Sequence, residues 1–170
     1  MKTLTDPDTI RIDTLNVIQS SISDQQRLTP PQKELLHEHT PRMKDEERVY
    51  KLTGRLVRYK EEEDFDYHIA LVGKDNDTML VEIPSPTDCD ITAHSLYKSY
   101  YTMARNTFLA VLKKHKLPEP QFQKHFKPKE NDPIFLTVAG VGFWDFKHDN
   151  EYGAAPNGRE LHPVLKLEEK

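Results

Sequence analysis

After position 48, apolar and polar side chains alternate in a way that predicts β-strands. Successive side chains of a strand point to opposite faces, so residues two apart in sequence share a face. In one segment the apolar residues take every second position and leave Asp66 and His68 together on the opposite face. A second segment near the end of the chain repeats this arrangement with Glu160 and His162. Each segment therefore predicts a strand that carries a carboxylate and an imidazole side by side.

Five strands are predicted in this part of the chain. They run over residues 49–60, 67–72, 78–83, 133–143 and 159–167. The first strand contains Gly54, at a point where a barrel strand can bend or bulge. A turn of Gly, Asp and Asn residues at 73–77 joins the second and third strands, and such residues set the register of a hairpin.

One helix is predicted between the third and fourth strands. Apolar residues recur at intervals of three and four between His94 and His115, lysines fill the last turn, and Pro118 prevents continuation. The order strand, strand, strand, helix, strand, strand is that of a five-stranded OB barrel, in which the helix covers one end. We therefore predict a mainly β protein whose residues 48–168 form an OB-like barrel of pattern β-β-β-α-β-β.

Residues 1–47 have a different composition and predict an N-terminal arm that is partly helical or disordered. Ile12, Leu15, Ile18 and Ile22 recur three or four residues apart, which is a weak helical pattern. These apolar residues are too few for a separate core, so we expect them to pack on the barrel or on another copy of the chain. Removal of the arm is expected to leave a folded domain.

The barrel prediction assigns the side chains of the hairpin to two faces. We expect the inward face to hold Tyr67, Ile69, Leu71, Met79, Val81 and Ile83. The outward face, which is the usual ligand surface of this fold, then holds Asp66, His68, Ala70, Thr78, Leu80 and Glu82. If the last strand lies beside the third, Glu160 and His162 join that surface.

These positions predict one outer-face cluster that could hold a metal ion. Its members are Asp66, His68, Glu82, Glu160 and His162. Clustered carboxylates repel one another, and a divalent cation or two imidazolium groups would relieve the repulsion. Zinc or manganese suits neutral His and carboxylate ligands. In the alternative interpretation each imidazole bonds a neighbouring carboxylate or carbonyl and stabilises the barrel.

Residues outside the cluster either add candidate ligands to the site or exclude certain types of site. Asp145 and His148 could be ligands at the rim of the cluster, or could shape the loop that contains them. Arg105 flanks the apolar stripe of the helix and could clamp an anion or form a salt bridge to the barrel rim. Cys89 is the only cysteine, which excludes an intrachain disulfide and a cysteine-rich zinc site.

Composition and charge narrow the classes of partner. The chain is 36% hydrophobic and 31% charged, as in soluble globular proteins. Its first residues lack the apolar run expected of a secretory signal, and no apolar membrane span is visible in the sequence. We therefore expect a cytoplasmic protein. A net charge of -4 argues against strong electrostatic capture of nucleic acid. Basic runs at 113–116 and 124–129 leave a local nucleic-acid patch or a solvated loop as alternatives.

Several motifs resemble those of a family of uncharacterised bacterial proteins. They are Thr40-Pro41-Arg42, Tyr67-His68, Thr78 to Pro84, Ala104-Arg105, the GVGFWDF run at 140–146 and the APNGRELHPV run at 155–164. The resemblance covers about residues 40 to 167 and is most specific in about the last thirty of them. It supports the domain boundary, implies no established activity and leaves the function open.

Three classes of function remain after this reading. The first is a non-catalytic binding module for an oligonucleotide, another small polymer or a protein partner, because the OB barrel is chiefly a ligand platform. The second is a metal-dependent hydrolase, for example a phosphodiesterase or nuclease, that uses the outer-face cluster. The third is an assembly component whose arm reaches a neighbouring subunit and forms a homo-oligomer.

Overall fold

Strands dominate the part of the chain that the structure describes. The computed structural model describes residues 3–32, 41–87, 94–145 and 152–170. The strands are β1 (Asp13–Gln19), β2 (Arg48–Glu61), β3 (Tyr67–Val72), β4 (Thr78–Ile83), β5 (Phe135–Trp144) and β6 (Arg159–Glu169). The helices are a short 3-10 helix (Pro7–Arg11), α1 (Ile22–Gln26) and α2 (Lys98–Lys114).

Five of these strands close into a barrel. Around the barrel the order is β2, β3, β4, β6 and β5, and β5 pairs with β2 to complete the circle. Strands β4 and β6 are parallel, with Val81 opposite Leu161, and the other barrel pairs are antiparallel. The predicted mainly β, five-stranded barrel is therefore confirmed, and its topology is consistent with an OB-like barrel.

The barrel interior is filled by alternate residues of the hairpin, as the sequence pattern predicts. The residues that β3 and β4 contribute to the main core are Tyr67, Ile69, Leu71, Met79, Val81 and Ile83. Helix α2 follows β4 in sequence and adds Phe108, whose ring meets the Tyr59 ring edge-on at 5.5 Å. Such a pair stabilises the core by about 1 kcal/mol beyond the area that it buries.

Strand β2 changes face near its middle. Its core residues are Tyr50, Leu52, Leu56 and Tyr59, so the spacing changes from even to odd positions. The pairing of β2 with β3 shifts register between Leu56 and Arg58, as a β-bulge does. The sequence predicts a bend or bulge at Gly54, and the observed shift lies just after that residue. Gly54 instead allows close packing, because a Cβ there would lie 2.8 Å from the Cβ of Leu71.

The outward face of β3 and β4 is covered, and the expectation of an open ligand surface there is wrong. Ala70 and Leu80 are 2% and 3% exposed. The chain that leads into β6 lies over them: a Cβ at Gly153, whose φ is +93°, would approach the Cβ of Ala70 to 2.5 Å. Beside it, the Arg58 guanidinium lies 3.8 Å from the centre of the Tyr152 ring. A side chain at position 153 would clash with Ala70, so only glycine fits there. The close approach shields Ala70 and Leu80 from solvent.

The N-terminal segment joins the sheet, so the helical interpretation of residues 13–19 is wrong. Strand β1 runs parallel to β2, with Ile18 opposite Tyr50. Backbone pairing with the edge of β2 outweighs a weak side-chain pattern. Leu15 is 92% exposed, contrary to the expectation that it would be buried.

Helix α1 fixes the arm to the barrel. It begins with a capping box between Ser21 and Asp24, and Ile22 enters the main core with 1% exposure. The side chain of Gln25 accepts a hydrogen bond of 3.0 Å from the Arg159 guanidinium at the start of β6. The arm therefore contributes to the barrel core.

We predict that Ile22→Ala lowers the free energy of unfolding by about 2–5 kcal/mol, because it removes buried methyl groups and leaves a cavity. Leu15→Ala is the matched control and should change stability by less than about 0.5 kcal/mol, because Leu15 is exposed. Urea denaturation of both variants measures the difference. Equal effects would contradict the packing of α1 on the barrel.

Candidate metal centre

The five residues of the predicted outer-face cluster lie together. His68 is directly opposite Glu82 in the β3–β4 pair, and Val81 of β4 faces Leu161 of β6. This pairing brings Glu82 beside the neighbours of Leu161, which are Glu160 and His162. The cluster is not on an open surface. The exposed fractions are 4% for Asp66, 5% for His68, 6% for Glu82, 4% for Glu160 and 0% for His162.

His162 lies at the centre of the cluster. Its Nδ1 is 2.7 Å from Glu82 Oε2 and 3.4 Å from Glu160 Oε1, and its Nε2 is 3.1 Å from Asp66 Oδ2. Burial lowers the pKa of His162, but Glu82, Asp66 and Glu160 more than offset it, so the pKa lies well above 6.5.

Two residues that the sequence prediction did not include, Glu62 and Lys60, extend the cluster from His68 toward solvent. Nδ1 of His68 is 2.7 Å from Glu62 Oε1 and 3.6 Å from Glu82 Oε1. Glu62, whose side chain is 23% exposed, also forms an ion pair with Lys60. The hydrogen bond to His68 is the main reason that the pKa of Glu62 falls to about 2; partial burial opposes the shift and Lys60 adds to it.

The pairing of β2 with β3 explains why Lys60 was missed. Lys60 is opposite His68 in that pair. Strict alternation from Leu52 and Leu56 would turn Lys60 inward, and the register shift near Arg58 turns it outward. The acidic run before Asp66 was the visible sign of Glu62.

Asp64 lies where the cluster meets solvent. It is exposed, and its Oδ1 accepts a hydrogen bond of 3.3 Å from the backbone N–H of Asp66. Desolvation by the surrounding chain, followed by the negative charges of Asp66 and Glu82, raises the pKa of Asp64. Glu62 and Asp64 thus mark the side from which solvent approaches the buried carboxylates.

Arg105 holds the backbone on both sides of the cluster. Its guanidinium donates hydrogen bonds to the carbonyl of Phe65, which precedes Asp66, and to the carbonyls of Ile83 and Pro84, which follow Glu82. It also lies 3.7 Å from the centre of the Tyr67 ring. A buried arginine in these contacts positions two cluster residues. The anion-binding role considered for Arg105 stays a prediction.

The two candidate rim residues have different outcomes. Asp145 follows β5, and its backbone N–H donates to the carbonyl of Gly158 at 2.9 Å, which closes the base of the loop before β6. His148 lies outside the described residues. A ligand role for either residue stays a prediction.

Asp66, Glu82 and His162 could together hold a metal ion. Each offers one ligand atom, and these atoms all lie within 4.8 Å of one another. A histidine that binds a metal through one ring nitrogen usually donates its other N–H to a carboxylate. Carboxylates approach both nitrogens of His162: Glu82 lies at Nδ1 and Asp66 at Nε2.

Comparisons with protein-family models, with curated proteins and with solved structures give no match for this chain. The resemblance to a bacterial family therefore stays a prediction. Among the described residues, no helix is both long and apolar enough to cross a membrane.

We predict that, in chelator, His162 keeps its proton to well above pH 6.5 in the folded, metal-free protein. Because its pKa is higher in the folded than in the unfolded chain, it stabilises the fold fully below about pH 6.5. That stabilisation is lost as pH rises through the folded-state pKa. NMR titration of 15N-labelled histidines measures this directly.

His125 is the internal control for this titration. It is exposed, and desolvation together with the nearby charges of Lys60 and Arg58 lowers its pKa. It should lose its proton below pH 6.5, well before His162. If His162 loses its proton first, the cluster does not hold an imidazolium ion.

Proposed function

We propose that this protein binds a divalent cation and that Asp66, Glu82 and His162 are its ligands. The observation that supports this most is the gathering of several carboxylates around one fully buried imidazole. Burying an ionised carboxylate costs several kcal/mol unless opposite charge compensates it. A divalent cation would place two positive charges between these carboxylates and would let His162 act as a neutral ligand.

The ligand set favours a transition metal over calcium or magnesium. Imidazole suits zinc, whereas sites with only oxygen ligands suit calcium and magnesium. Carboxylates extend the choice to manganese. We therefore propose zinc or manganese as the cation, with Glu160 beside the proposed ligands at 3.4 Å from His162.

The position of the centre fits an OB-like barrel. With α2 between β4 and β5, the element order matches that fold, whose ligand surface is the outer face of the strands equivalent to β3 and β4. In this chain that face carries the acidic cluster, and Gly153 covers the apolar part beside it. A buried, acidic face suits a small cation better than an oligonucleotide, which needs an exposed basic groove.

Metal-dependent hydrolysis is a second candidate function, and one observation favours it. Solvent reaches the edge of the cluster at Glu62 and Asp64. A cation between Asp66 and Glu82 could lower the pKa of a bound water and so provide a nucleophile at neutral pH. A phosphodiesterase assay with manganese, on native protein and on Glu82→Gln, tests this candidate. Turnover that does not depend on Glu82 would contradict it.

We predict that Glu82→Gln weakens cation binding by at least about tenfold, because it replaces an anionic ligand with a neutral amide of similar shape. Glu168→Gln is the matched control: Glu168 lies on β6, is 45% exposed and pairs with Lys51 and Lys166. Isothermal titration with manganese and zinc, after removal of bound metal with chelator, measures both variants.

This titration separates metal binding from a purely ionic network. If the native chain binds neither metal, the cluster is an ion-pair network that stabilises the barrel. If Glu82→Gln binds as tightly as native protein, the cation lies elsewhere. Binding should also raise the free energy of unfolding, by about 2.7 kcal/mol at a metal concentration of a hundred times Kd.

A further inference from the structure

Glu82 is shared between the two imidazoles of the cluster. Its Oε2 lies 2.7 Å from Nδ1 of His162, and its Oε1 lies 3.6 Å from Nδ1 of His68. A second glutamate approaches each of these nitrogens: Glu160 Oε1 is 3.4 Å from His162, and Glu62 Oε1 is 2.7 Å from His68. The same arrangement therefore occurs twice: an imidazole nitrogen lies beside one oxygen of Glu82 and beside a second glutamate.

In each set, the two distances from the imidazole nitrogen to its glutamates suit a metal ion. Ligand atoms about 2.1 Å from a six-coordinate cation lie about 3 Å from their neighbours. The distances from His162 Nδ1 to its two glutamates are 2.7 and 3.4 Å, and those from His68 Nδ1 are 2.7 and 3.6 Å. Binding would require the two glutamates of each set to turn toward one cation, and Glu62 to exchange its contact with Lys60.

We propose that the cluster binds two divalent cations, with Glu82 as the bridging carboxylate and His68 and Glu62 as ligands of the second cation. The proposal rests on the proposed function, because it adds a cation to the first site. Paired metal ions in proteins lie about 3.5–4 Å apart, a separation that the two oxygens of one carboxylate can span. The second cation would lie nearer to solvent, since Glu62 is 23% exposed.

Charge favours this occupancy. Glu62, Asp66, Glu82 and Glu160 supply four negative charges, which two divalent cations would balance if both imidazoles are neutral. Lys60 pairs with Glu62 at the position of the second cation. The Lys60 side chain is 15% exposed at the end of β2, so it can turn toward solvent when a metal ion binds.

Manganese is the probe for the test, because paired Mn²⁺ ions couple magnetically. The native chain, loaded with MnCl2 and freed of excess by gel filtration, should hold two manganese ions per chain by mass spectrometry. Its electron paramagnetic resonance spectrum should show an exchange-coupled pair. Glu62→Gln should reduce the content to one ion and remove the coupling.

Glu169→Gln is the matched control. Glu169 makes the same 2.7 Å contact with a histidine, His115, but away from the cluster. This variant should keep two coupled ions. Coupled manganese that persists in Glu62→Gln would overturn the role of Glu62.

The native chain alone also decides the proposal, without any variant. One manganese ion per chain, or two uncoupled ions, would overturn the bridged pair and leave single-cation binding intact. No bound manganese or zinc would overturn both proposals.

Discussion

The contact between His162 and the carboxylates of Asp66, Glu82 and Glu160 is the interaction on which the rest of the site depends. The imidazole is fully buried, so its charge state and the charge of its neighbours have to be balanced within the protein. In the metal-free chain these carboxylates raise the pKa of His162, so a proton on the imidazole offsets part of their charge. The proposed divalent cation would offset more of it, because it would neutralise two carboxylates and release the proton.

The barrel makes this contact possible and also encloses it. Parallel pairing of β4 with β6 puts Glu82 beside His162, although about eighty residues separate them in sequence. Arg105 then fixes the backbone next to Asp66 and Glu82, and Gly153 closes the neighbouring apolar surface. Positions held on strands and by a buried arginine are well suited to a site that requires accurate ligand spacing.

Local alternation was enough to predict the barrel hairpin and the five residues of the cluster, because parity in paired strands determines which side chains share a face. Burial of Ala70 and Leu80 on that face could not be predicted, since it depends on Gly153, some eighty residues beyond its contact Ala70 in sequence. Lys60 was missed because strict alternation along β2 turns it inward, whereas the register shift between Leu56 and Arg58 turns it outward. Strand β1 was missed because pairing with the edge of β2, a tertiary contact, determines its conformation.

Anomalous X-ray diffraction from crystals grown with manganese tests the central claim most directly. Phased difference maps at the manganese absorption edge show where the cation lies without any substitution. The account predicts an anomalous peak in contact with Glu82 and one nitrogen of His162, with Asp66 within reach. A map without such a peak, with His162 still against its carboxylates, would contradict metal binding and leave a buried ion-pair network.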